Sequence, residues 1–182
     1  MNTLTFNSME RNMSFKTAFK TSILIPAYTA QNQALLITLS LTVTPQKQYR
    51  IFTNGNVAEA LKPALTRAIE IMSTIQPNWM SLLGFQYHLA DLKNSNSPYL
   101  VKDTRSAGLA LAIGLMNIYR QHRGHAPVEG LIGTGILRID GSFESSHKEE
   151  IKQKTSNYQF FITSNRCAHL FELNDFMEKI NV

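Results

Sequence analysis

Between Leu35 and Val43 apolar and polar side chains alternate: Leu35, Ile37, Leu39, Leu41 and Val43 fall on one face of an extended chain, Thr38, Ser40 and Thr42 on the other. A strand with one dry side needs a layer packed against that side. Before it, Phe19 to Ala27 holds the β-rich run Thr-Ser-Ile-Leu-Ile, ending at Pro26, and the amides Gln31-Asn32-Gln33 predict the intervening turn. After Pro45, Tyr49 to Thr53 predicts a short strand closing a hairpin-like pair, with Asn54-Gly55-Asn56 as the break. Apolar residues at 57, 61, 64, 65, 68, 72 and 75 then recur at helical spacing, as in an amphipathic helix lying on a sheet. Pro63 interrupts this pattern early, so the helix either starts near Lys62 or kinks there.

Beyond Pro77-Asn78 comes an apolar connection, Trp79 to Leu83, and then a strand from Phe85 to Leu89. His88 in that strand has no partner at ligand spacing and is expected to be a packed or exposed residue. From Gly108 to about Arg120 the chain is apolar nearly all round, which predicts a central helix stopped by Gly124. Short strands follow at Leu131-Ile132 and Ile136 to Ile139, separated by the side-chain-poor Gly133-Thr134-Gly135 and ended by the Asp140-Gly141 turn. A charged helix from about Ser146 to Lys154, a buried strand at Phe160-Phe161-Ile162 and a closing helix from Leu170 to Ile180 complete the pattern. Residues 1–16 are polar and aperiodic, a flexible arm; residues 17–182 form one domain of the α+β class.

Composition narrows the function more than the fold. With 43% hydrophobic and 17% charged residues, the 182-residue chain has the balance of a soluble globular domain. No stretch reaches the about 18 apolar residues of a membrane span, and no signal-peptide core follows the N-terminal charges, so a cytoplasmic protein is expected. The one cysteine, Cys167, excludes an internal disulfide and fits a reducing compartment, as a half-buried structural thiol. The net charge of +5 is spread over scattered residues with no basic run, which argues against nucleic acid as a partner. Nothing in the pattern asks for a metal or a cofactor, and there is no G-x-x-x-x-G-K-[ST] phosphate loop.

Candidate chemistry gathers at Lys102-Asp103-Thr104-Arg105-Ser106-Ala107-Gly108, where a polar loop runs into the central helix. A helix start carries unpaired N–H groups and partial positive charge, which would stabilise an oxyanion beside Ser106. Ser106 therefore reads either as a nucleophile or as an N-cap, the commonest role of serine at a helix start.

That heptad resembles the Lys-Asp-Gly-Pro-Ser-Ala-Gly motif of the proteolytic domain of Lon, five of seven residues being identical. Pro127-Val128, Thr134-Gly135 and Gly141 match the family's Pro-Val, Thr-Gly and Gly at the same mutual spacings, and Ala27-Tyr28-Thr29, the alternating strand and Thr53-Asn54-Gly55 are similar in order and length. The likeness spans roughly Ile23 to Asp175. It implies the ribosomal protein S5 domain 2-like fold and a serine-lysine peptidase, with Ser106 as nucleophile and backbone N–H groups from Ser106 to Gly108 as oxyanion donors. For the lysine, a count without gaps from Gly141 reaches Glu150; matching Ile151 to the family's leucine places Lys148 there instead, with Lys152 as fallback. A lysine serves as general base once burial disfavours its charge, whereas Lys148 in a solvated, salt-bridged helix would be the structural alternative.

The resemblance further implies that Thr134 hydrogen-bonds the amine, the alternative being a plain strand-end hydroxyl, and it matches Asp103 to the family's aspartate before the serine, the alternative being a brace for the loop. Thr104-Arg105 replaces the family's Gly-Pro: Arg105 narrows the groove or meets an acidic group, or else marks a site that no longer cleaves. Lon's own ATPase is missing from this sequence, so the implied substrate is unstructured polypeptide, with a separate ATPase as possible partner and a homo-oligomer, by family a hexameric ring. A catalytically inactive domain for binding or assembly, and an S5-like nucleic-acid module, are the alternatives.

Overall fold

A computed structural model of the chain describes residues 18–28, 34–46, 48–76, 85–92, 104–146, 148 and 160–180. The expected arm at 1–16, the amide turn, the connection from Trp79 to Leu83, Lys102, Asp103 and Lys152 all lie outside these residues.

The alternating segment is β2 (Ala34–Pro45), with Leu39, Leu41 and Val43 fully buried. It pairs antiparallel with β1 (Phe19–Tyr28), from Phe19 opposite Val43 to Tyr28 opposite Ala34. Strand β1 runs two residues past Pro26, because proline's φ suits an extended chain and costs only one ladder donor.

β3 (Arg50–Asn54) does not close a hairpin with β2. It lies parallel to β4 (Phe85–Asp91), which itself pairs antiparallel with β2 and so separates the two. Between β3 and β4 the chain crosses the sheet through helix α1 (Asn56–Ile75), and a strand–helix–strand unit returns parallel. Helix α1 passes unbroken through Pro63 and starts well before Lys62. Its start is fixed from a distance: the Asp91 carboxylate accepts the N–H groups of Val57 at 3.1 Å and Ala58 at 2.8 Å. Gly55 at the cap position has φ +114°, and a Cβ there would fall 2.2 Å from the Asp91 carboxyl carbon.

Helix α2 (Gly108–His122) is central as expected, with Leu109 to Ile118 all buried. It lies on β1 at Gly114, where a Cβ would meet Ile23 at 2.7 Å. Strand β5 (Ile132–Thr134) joins the other edge of β1 in parallel, and β8 (Phe161–Thr163) joins β5 in parallel, giving the sheet order β3-β4-β2-β1-β5-β8. A two-stranded ribbon, β6 (Ile136–Leu137) with β7 (Phe143–Glu144), stands apart. Helix α3 (Leu170–Ile180) closes the chain and is tied to α2 by an ion pair, Arg120 to Glu178 at 2.7 Å. The fold is α+β with a mixed sheet. No helix among the described residues is long and apolar enough to cross a membrane.

Candidate functional site

Helix α2 is entered through a single 3-10 turn, Arg105–Ala107. The N–H of Ala107 donates to the Thr104 carbonyl at 3.2 Å, and that of Gly108 donates to the Arg105 carbonyl. Ser106 therefore sits inside the turn, and the cap position of α2 falls on Ala107. The N-cap reading of Ser106 does not hold. Two of the three expected oxyanion donors, at Ala107 and Gly108, are engaged within the turn in this conformation. Ser106 and Ala107 are buried, whereas Arg105 is exposed.

Two backbone bonds strap this turn to the segment after β5. The N–H of Gly135 donates to the Ser106 carbonyl at 3.0 Å, and the N–H of Leu109 donates to the Gly135 carbonyl at 3.1 Å. The approach is close enough to require Gly108, since a Cβ there would lie 2.7 Å from the Leu137 nitrogen. Gly108 thus acts here through its lack of bulk.

Thr134, the last residue of β5, is fully buried, and its hydroxyl lies 2.8 Å from that of Ser146, also buried. Of the charged helix expected from about Ser146 to Lys154, all but Ser146 and Lys148 lies outside the described residues; Ser146 itself follows β7 in irregular chain with its hydroxyl turned to Thr134. No local signal near Ser146 points to a partner twelve residues earlier, so the sequence pattern does not show this contact. Lys148 is not helical either: its φ is +56°, the left-handed region. Its Nζ rests 4.5 Å from the centroid of the Tyr28 ring.

Strand register explains how these groups meet. Leu24 pairs with Ile132, so Pro26 lies beside Thr134 and Tyr28 lies just beyond. On β5 it is Gly133 that faces α2, where a Cβ would strike Ile113 at 2.7 Å. Alternation then turns Ile132 and Thr134 to the opposite face, shared with Leu24, Pro26 and Tyr28. Tyr28, Thr134, Ser146 and Lys148 accordingly gather at the carboxyl ends of β1 and β5. The Ser106 turn joins them through Gly135. The carboxyl ends of strands are a recurrent place for binding sites in sheets with parallel strands.

Cys167 is fully rather than half buried, and burial pushes its thiol up from the usual range, which fits an inert structural thiol. His88 is exposed. No three His, Cys, Asp or Glu side chains gather as a metal site among the described residues. Compared with protein-family models and with curated proteins, the chain matches none.

Proposed function

We propose that the chain is a Lon-like serine endopeptidase domain of the S5 domain 2-like fold, acting on unstructured polypeptide through Ser106 and Lys148. One observation carries this reading. The turn holding Ser106 is strapped to Gly135, and the neighbouring Thr134 is hydrogen-bonded to Ser146, two residues before Lys148. Segments 42 positions apart (148 minus 106) are thereby tied to one end of the sheet.

In the reaction, the Ser106 oxygen attacks the peptide carbonyl carbon while the neutral Lys148 amine takes its proton. The amine returns that proton to the departing nitrogen, leaving an ester on Ser106. Water, deprotonated by the same amine, then hydrolyses the ester and releases the acid. For Ala107 and Gly108 to stabilise the oxyanion, substrate binding has to open the 3-10 turn. A separate ATPase would deliver folded substrates, and a ring of six copies is the assembly this reading implies.

A second reading is favoured by the engaged N–H groups of Ala107 and Gly108 and by Arg105 in place of the family's compact turn. It makes the chain an inactive Lon-like domain kept for binding or assembly. Incubation of the protein and of Ser106→Ala with unfolded casein separates the two. Cleavage by the wild type that is lost in Ser106→Ala supports the peptidase, and equal turnover by both, or none by either, refutes it.

A further inference from the structure

Tyr28 ends β1, and its ring lies under the Lys148 amine with Nζ 4.5 Å from the centroid. That separation sets the amine and its methylene stem against the ring face, a packing contact open to the neutral as to the charged form. Lys148 is also the sole described non-glycine residue with positive φ, at +56°. Lysine adopts this conformation only where its surroundings hold it there, and such outliers collect at working sites. Two contacts contribute to the holding. The Thr134–Ser146 hydroxyl pair at 2.8 Å fixes the backbone two residues earlier. The Tyr28 ring holds the far end of the side chain.

We propose that Tyr28 is a positioning residue, whose ring face keeps the Lys148 amine at the carboxyl ends of β1 and β5. Its consequence for rate rests on the peptidase reading above. The ring, not the phenol hydroxyl, is what the geometry uses, so phenylalanine should serve and an aliphatic side chain should not.

The test is Tyr28→Phe beside Tyr28→Leu in the full chain, with two readouts. In NMR spectra of protein carrying labelled lysine, the ε-methylene protons of Lys148, identified by their loss in Lys148→Arg, should lie upfield of the other lysines because of the ring current. That shift should persist in Tyr28→Phe and vanish in Tyr28→Leu. With unfolded casein, Tyr28→Leu should lower kcat by about tenfold or more, as for a misplaced catalytic group, with KM unchanged, and Tyr28→Phe should restore kcat. An unshifted Lys148 resonance in the wild type overturns the proposal, and needs no Tyr28 variant to fold. Unchanged kcat in a folded Tyr28→Leu also overturns it while leaving the peptidase intact. An upfield resonance lost in Tyr28→Leu, in a protein without Ser106-dependent cleavage, upholds Tyr28's hold on the amine and refutes the peptidase reading instead.

Discussion

The 2.8 Å contact between the Thr134 and Ser146 hydroxyls makes a measurable claim about how the candidate site is held together. Thr134→Val keeps the side chain's shape and removes its hydroxyl; Ser146→Ala does the same from the other side. Both residues are buried, so each change deprives a buried hydroxyl of one partner. A hydrogen bond contributes about 0.5–1.5 kcal/mol net, and depriving a buried polar group of its partner costs about 1–3 kcal/mol. Each single variant should therefore lose about 1–2 kcal/mol, or about 2–8 °C in Tm for a chain of this size. The double variant removes both groups at once and should cost less than the sum, by a coupling of about 1 kcal/mol. Urea titrations followed by circular dichroism give the numbers, with the midpoint falling at constant slope. Additivity of the two changes within about 0.3 kcal/mol would refute the contact, and with it the tie between β5 and the segment leading to Lys148.

The remaining expectations follow from single contacts. Asp91→Ala should cost about 1–2 kcal/mol by exposing two N–H groups at the start of α1, and Asp91→Asn, which keeps one acceptor oxygen, about half as much, both read from urea midpoints. Gly108→Ala should destabilise by about 1–3 kcal/mol because its Cβ meets the Leu137 backbone at 2.7 Å, while Gly135→Ala, whose nearest contact is 3.4 Å, should stay within about 0.5 kcal/mol. At alkaline pH the Cys167 thiol, raised from 9.0 by burial, and the Tyr87 phenol, raised from 10.0 by burial, hold their protons longer folded than unfolded. Their contribution to stability is complete below pH 9 and is lost as pH rises above it, so wild type should lose stability more steeply from pH 9 upward than Cys167→Ala.

Local pattern carried the parts of the fold that depend on near neighbours. Helix α3 runs from Leu170 to Ile180 as its periodicity predicts, and the alternation of β2 buries Leu39, Leu41 and Val43. The departures arise where a distant residue decides. Strand β3 pairs with β4, across a twenty-residue helix, and nothing between Tyr49 and Asn54 encodes that choice. Helix α1 begins at Asn56 because Asp91 caps it from β4, so the proline that looked like a boundary lies in its interior. At the site, the heptad around Ser106 and the side-chain-poor Gly133-Thr134-Gly135 stand out in the sequence. Ser146 does not, since its partner is twelve residues away and serine has too many local uses.

Those three residues, Gly133 to Gly135, do more than close a turn. Gly133 turns its empty side toward α2, admitting Ile113 and Leu109 where any Cβ would collide. Thr134, one step on, must then point to the opposite face, where Ser146 meets it. Gly135 offers its backbone back to the first face, accepting from Leu109 and donating to Ser106. A single short strand end thus addresses both sides of the sheet through its alternation alone. The Ser106 turn and the segment leading to Lys148 are therefore fastened to consecutive residues. A substitution that shifts this strand end by one residue exchanges the faces and separates the two halves of the site together, whereas loss of either fastening by itself leaves the other in place.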